Sequence, residues 1–188
     1  MLILMSKPRK QKLPRDLQRS VAVDTREQTP WQWGDLVVER RTLHSGDYTL
    51  IDSDGSLLDH LIVIERKSLD DFVACCGRER ARFERELQRL AEECMYPFVF
   101  VEGSYDEVGK QNYSSTLIPR QIIGSVYAFA IDYGVHIQFV SSHDHAAAAA
   151  RRLFLVIEAR IDRGDIKVGS KECVIRPREL TFSTRYGA

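Results

Sequence analysis

Apolar residues recur along this chain with two different periods, and the change from one to the other divides it. Val21-Ala22-Val23 is a short continuous apolar run that stops at Asp24-Thr25-Arg26-Glu27, which predicts a buried strand ending in polar residues. Val37-Val38-Glu39-Arg40-Arg41-Thr42-Leu43 and Tyr48-Thr49-Leu50-Ile51 are two further β-rich segments, separated by Ser45-Gly46-Asp47, and Leu61 to Ile64 adds a fourth. The simplest topology for this first part is a meander of antiparallel neighbours. After Glu65-Arg66-Lys67 the period lengthens to that of a helix. Leu69, Phe72 and Val73 predict a short helix capped by Ser68 and stopped at Gly77. Phe83, Leu87, Leu90 and Cys94 predict a second helix between Arg78 and Cys94.

The remainder alternates. Pro97 to Val101 predicts a strand followed by a loop around Gly103, and a helix opens near Ser114 to Thr116, with Pro119 in its first turn, and closes at Gly134. Val135 to Val140 predicts a strand, and a last helix runs from near Asp144 through the alanine run to Gly164. Strands first and then strand and helix in alternation argue for an α/β or α+β sandwich around a mixed sheet. Residues 1–19 are expected to be a basic arm, 20–164 the folded domain and 165–188 a tail.

Composition adds exclusions. With 188 residues, 44% hydrophobic and 29% charged, the chain suits one globular domain and neither a disordered nor a fibrous protein. No window approaches the ~18 apolar residues of a membrane span, and the opening MLILM is too short for a signal peptide, so a cytoplasmic location is expected and no membrane partner. Cys75, Cys76, Cys94 and Cys173 form no CxxC and read as free thiols. The 27 basic and 27 acidic residues cancel, but unevenly: residues 1–19 hold Lys7, Arg9, Lys10, Lys12, Arg15 and Arg19 against Asp16 alone. A basic arm on a mildly acidic body suits a polyanion held near a carboxylate-rich site.

The candidate chemistry lies at the strand ends. Asp24, Asp47, Glu65 and Lys67 fall at or just past predicted strands, and Glu65 and Lys67, two apart, share one strand face while Arg66 points to the other. A carboxylate and an ammonium on one face of Leu-Ile-Val-Ile-Glu-Arg-Lys are costly unless each charge is compensated, which a divalent cation would do. Phosphodiester hydrolysis needs an oxygen-rich seat for Mg²⁺, a positioned water and positive charge near the reacting phosphate. Asp47 and Glu65, with the backbone carbonyl between Glu65 and Lys67, could hold the metal, and Asp24 could be a further ligand. Lys67 could orient or deprotonate the water. Arg78, Arg82, Arg85 and Arg89 form a helical stripe that reads either as a salt-bridged solvent face or as a phosphate-contacting one. Trp31 and Trp33 read as a loop that covers the core, and His143-x-His145 as a helix-cap region.

The string Glu65-Arg66-Lys67-Ser68-Leu69-Asp70-Asp71 resembles the ERKxxxD signature of XPF-type nucleases, with Gly46-Asp47 as the preceding GD and Asp24-Thr25-Arg26-Glu27 as the first DxRE element. The similarity covers about residues 20–163. It implies the restriction-endonuclease-like fold, a central mixed β-sheet flanked by helices, with Mg²⁺ (or Mn²⁺ as a substitute) and cleavage of branched or flapped DNA in repair or recombination. It places Asp24, Asp47 and Glu65 on the metal-site acids, Lys67 on the catalytic lysine, and Arg26, Glu27, Arg66 and Asp71 on supporting positions. Arg66 is expected to pair with an acid such as Asp71, and Arg26 to reach a phosphate. Family members dimerise through helices that would here be 118–133 and 145–163. With too few residues after Arg163 for the helix-hairpin-helix domain of larger members, the chain resembles the short free-standing branch of bacteria and phages. The alternatives are a catalytically silent DNA-binding or scaffold subunit, and a nuclease of RNA or unbranched DNA ends.

Overall fold

The computed structural model describes residues 16–168. Its centre is a six-stranded sheet of β1 (Ser20–Asp24), β2 (Val38–Arg41), β3 (Tyr48–Ile51), β4 (Ile62–Ser68), β5 (Tyr96–Glu102) and β6 (His136–Phe139), in the order β2-β1-β3-β4-β5-β6. The helices are α1 (Leu69–Cys76), α2 (Arg80–Glu93), α3 (Tyr105–Gly109), α4 (Pro119–Tyr133) and α5 (His143–Asp162).

The expected meander holds only in part. β1 pairs antiparallel with β3, and β3 with β4, but β2 lies parallel to β1 at the edge, with Val21 opposite Val38. The reason is the connection after Asp24. Trp31 and Trp33, both buried, carry that segment back across the sheet face, Trp31 stacked on Tyr48 with ring centroids 4.1 Å apart, so the chain re-enters beside the start of β1. β5 and β6 then add parallel to β4, as helical crossovers require.

Alternation along β4 separates two cores. Ile62 and Ile64 face a cluster with the two tryptophans, Phe100 and α5, whereas Val63 faces one built by α1, α2 and α4. Helix α1 starts at the Ser68 cap, whose hydroxyl accepts the Asp71 N–H, and ends at Gly77, as expected. Helix α2 buries Phe83, Leu87 and Leu90 completely; Leu87→Ala would cost about 2–5 kcal/mol. Phe83 meets Phe72 and Phe129 edge-on at 6.3 and 5.4 Å. The loop expected around Gly103 contains the five-residue α3, too short to show a period.

Packing against the sheet and α5 also involves residues outside 20–164. Leu17 and Ile166 are both buried in the α5-side cluster. Buried Glu158 of α5 accepts the N–H groups of Gln18 and Arg19, while the Arg19 guanidinium meets Asp52 and Asp162, each at 3.1 Å. Arg19 is therefore clamped to the body. Residues 1–15 of the expected basic arm, and residues 169–188 with Cys173, lie outside the described residues; Cys75, Cys76 and Cys94 are free and buried. Among the described residues no helix is long and apolar enough to cross a membrane.

Candidate active site

Backbone hydrogen bonds tie three strands together where the polar residues gather. The Asp24 N–H donates to the Asp47 carbonyl at 2.8 Å, and the Asp47 N–H donates to the Ile64 carbonyl at 2.9 Å. The Asp47 carboxylate then accepts the Arg66 N–H at 2.7 Å. Asp47 is thus fixed beside Glu65 by both its main chain and its side chain. Gly46 makes that approach possible: it has φ +71°, and its Cα faces the Val63 side chain.

Glu65 and Lys67 share the α1/α2 face of β4, and the Lys67 ammonium is bonded to Glu65 Oε1. A second carboxylate, Glu86 of α2, accepts from the same ammonium at 3.1 Å, and the Phe83 ring lies 5.5 Å from it. Glu86 was missed among the charges of α2, where it reads as one more solvent-facing acid. Its spacing held the signal: Phe83, Glu86 and Leu90 fall on one helix face, so Glu86 rims the buried stripe.

The electrostatics follow from burial and like charge. Burial, with a contribution from Glu27, raises the Asp47 carboxyl to about 6 against the downward pull of the Arg66 N–H. Burial and the neighbouring Asp47 charge push Glu65 well up, whereas Glu86, despite its own burial, is held low by its bonds to Glu65 and Lys67. Burial works against the Lys67 charge, but Glu65 and Glu86 outweigh it and raise the ammonium above the ordinary lysine value. A carboxylate pair this unfavourable with a cation already drawn to it suits a divalent ion.

The donors are hard oxygens of the kind that a divalent cation takes. Among the described residues no group of three or more His, Cys, Asp or Glu side chains forms a ready cage. Mg²⁺ needs hard oxygen ligands and is usually held by one or two carboxylates together with waters and substrate phosphates, and Asp47 and Glu65 supply such a pair.

Asp24 stands differently from its expected place among the metal ligands. Its Oδ1 accepts Arg26 N at 2.8 Å and Arg26 Nε at 2.7 Å; its Oδ2 accepts Arg26 Nη2 at 3.0 Å and Leu43 N at 2.8 Å. Four N–H donors satisfy this buried carboxylate, leaving it to hold Arg26, whose side chain is 66% exposed. Arg40 braces the same loop, donating to the Glu27 carbonyl at 2.7 Å.

The expected Arg66–Asp71 pair is not formed. Arg66 faces the other core, where Glu102 at the end of β5 accepts from its Nε and Nη2, both at 2.8 Å. Glu102 also accepts from Trp31 Nε1 at 2.7 Å and meets His143 Nδ1 at 2.8 Å. Glu27 lies 3.5 Å from Arg66 Nη1. Asp71 starts α1 on the opposite side and accepts the Ser68 hydroxyl at 2.7 Å. His145 belongs to the cap of α5, its N–H bonded to Ser142 Oγ.

Of the arginine stripe, Arg78 and Arg82 line a cleft of ≈ 420 Å³ together with Lys67, Arg66, Asp71 and Cys75, while Arg85 and Arg89 lie exposed beyond it. Arg82 also pairs with Glu79 at 3.1 Å.

The sequence profile of the ERCC4 domain matches residues 23–153, more than half of the chain. Among solved structures the chain resembles XPF from Aeropyrum pernix, at 22% identity and a TM-score of 0.56, over 78% of this chain and 68% of that one. It also resembles XPF from Aeropyrum pernix in complex with DNA, at 22% identity and a TM-score of 0.55, over 76% and 66% of the two chains. No curated protein matches. The likeness to these structures makes the mixed sheet and its flanking helices a restriction-endonuclease-like fold.

Proposed function

The chain belongs to the ERCC4 domain family, and from that membership and the geometry of the β3–β4 site we propose a divalent-cation-dependent endonuclease acting on branched or flapped DNA. The observation that carries the reading is the Lys67 ammonium drawn onto Glu65 beside Asp47, which is locked in place by the Arg66 N–H. Asp47 and Glu65 would hold the cation, Mg²⁺ or Mn²⁺. When bound, it supplies positive charge to the scissile phosphate and lowers the pKa of a water.

The protein's own groups do the rest. In hydrolysis the water oxygen bonds to phosphorus as the P–O bond to the leaving nucleotide breaks. Lys67, held charged by its two carboxylates, suits stabilising the charge that grows on the phosphate and orienting the water better than it suits removing a proton. Arg26, oriented by Asp24 and largely exposed, suits the phosphate of the cleaved strand. Arg78 and Arg82 extend the positive lining along the cleft for a neighbouring phosphate, with Arg85 and Arg89 as outer contacts. The five bases among residues 1–15 act toward the same polyanion.

A homodimer through α4 accompanies this reading. Tyr127 is 61% and Ile131 74% exposed, one helical turn apart, whereas most of the large apolar side chains of α5 are turned into the core.

The test is cleavage by the purified chain, with Mg²⁺ or with EDTA, of flap, fork, nicked duplex, single-stranded DNA and RNA. Cation-dependent cutting of flaps or forks that Lys67→Ala abolishes, with DNA binding kept within a few-fold, is the expected result. Binding without cleavage by the wild-type chain would make it a silent DNA-binding subunit, and cutting of RNA alone would reassign the substrate.

A further inference from the structure

Glu65 is engaged twice over in the reading above, as a partner of the Lys67 ammonium and as a cation ligand. An ammonium and a divalent cation compete for the same carboxylate, because each is a concentrated positive charge that needs the oxygen lone pairs at close range. A lysine displaced from Glu65 would be a buried charge on a flexible four-carbon stem with nothing to hold it. The structure supplies a second holder. Glu86 lies 3.1 Å from Lys67 Nζ, and the two side chains are only 18% and 13% exposed. Glu86 comes from α2, so its position does not depend on the strand that carries Glu65 and Lys67. Phe83, one helical turn earlier, closes the other side of the ammonium at 5.5 Å.

We propose that Glu86 is the positioning residue of this site: it takes over the Lys67 ammonium when Glu65 turns to the cation, and so keeps the lysine beside the phosphate. Glu86 then acts through Lys67 and touches neither cation nor DNA. The inference rests on Lys67 and the Asp47–Glu65 cation site having the roles proposed above.

Its consequence is a coupling between a helix carboxylate and cation affinity that passes through the lysine. Without the Glu86 charge, Lys67 has Glu65 alone, and an incoming cation must break that pair. The test is a double-mutant cycle on Mn²⁺ affinity, measured by calorimetry on the full chain with MnCl₂ and no DNA, using wild type, Glu86→Gln, Lys67→Ala and the double variant. Glu86→Gln should weaken Mn²⁺ binding about tenfold in the wild-type background and change it by less than about twofold in the Lys67→Ala background. An equal loss in both backgrounds would make Glu86 a cation ligand and overturn the proposal, as would no loss in either.

Steady-state cleavage provides the second readout. Glu86→Gln should lower kcat about 100-fold while the KM for DNA stays within about threefold, since an interaction with the reacting group rather than with bound substrate is lost. Glu86→Ala, measured alongside with its thermal melting curve, serves if the Gln side chain disturbs packing. Full activity of Lys67→Ala would sink the underlying reading; an inactive Lys67→Ala beside a fully active Glu86→Gln would sink the role of Glu86 alone.

Discussion

A Cβ built on Gly46 would lie 2.3 Å from Cγ1 of Val63, well inside any contact that real side chains make. Gly46 immediately precedes Asp47 and has φ +71°. A side chain there is excluded by both the backbone conformation and the neighbouring strand. Gly46→Ala should therefore destabilise the fold by about 2–4 kcal/mol, through left-handed strain plus overpacking against β4. Urea unfolding gives the value. Because the same shift moves Asp47, cleavage should fall further than stability at a temperature where the variant is still folded.

Asp24 and Asp47 should part company when neutralised. Asp47→Asn removes a cation ligand under the proposed reading, so Mn²⁺ affinity and cleavage should be lost together. Asp24→Asn leaves the cation seat intact but unpairs Arg26 and weakens the bond to the Leu43 N–H. It should cost about 1–3 kcal/mol of stability and reduce cleavage while Mn²⁺ affinity stays within about threefold. Calorimetry on the two variants decides; equal loss of Mn²⁺ binding would return Asp24 to the ligands.

Acid should loosen the junction between β5 and the tryptophan loop. Glu102 is held below the ordinary glutamate value: burial opposes this, but the bonds from Arg66 and Trp31 outweigh it. A group lowered on folding contributes stability that is complete above its unfolded value, about 4.3, and is lost as pH falls through its folded value. Stability should accordingly decline below about pH 4.3, and the decline should be shallower in Glu102→Gln, which has already lost the charge. Urea midpoints between neutral and acid pH measure both slopes.

The outer stripe of α4 gives a test of association. Tyr127→Asp with Ile131→Asp should leave the fold of the monomer intact by circular dichroism, since both side chains are exposed, and convert a dimer to a monomer in sedimentation. A wild-type chain that sediments as a monomer at tens of micromolar would remove the dimer from the reading.

Deletion of residues 1–15 tests the arm while keeping Leu17, which is buried, and Arg19, which bonds to Asp52. The deletion removes five bases, and the salt dependence of DNA binding should flatten if they contact phosphate. An unchanged slope would leave the arm without a role in binding.

Local signals in the sequence were enough for features that local physics decides. The Ser68 cap, the Gly77 stop, the close of α4 at Gly134 and the shared face of Glu65 and Lys67 each depend on a few adjacent residues, whereas the opening expected near Ser114 to Thr116 lies at Pro119, after the Ile118 N-cap. What could not be read depends on distance along the chain. Nothing in Val38 to Arg41 records that the strand lies parallel to β1, since direction is set by the tryptophan segment before it. Arg66 meets an acid 36 residues away, at the end of a strand that neighbours its own, rather than the nearer Asp71 on the wrong side of the sheet. Glu86 looked like a solvated charge because periodicity ranks a helix face by its apolar residues and cannot tell a rim position covered by a strand from one facing water.

Alternation along β4 sends Glu65 and Lys67 into one core and Arg66 into the other, with only a backbone N–H to Asp47 at their meeting point. The domain is in this sense two machines sharing one peptide unit. Changes on the α1 and α2 side reach the reacting groups directly, whereas changes around Glu102 and α5 reach them chiefly as tension on Arg66. A substitution around Glu102 can therefore shift thermal tolerance while reaching Glu65 and Lys67 only through Arg66.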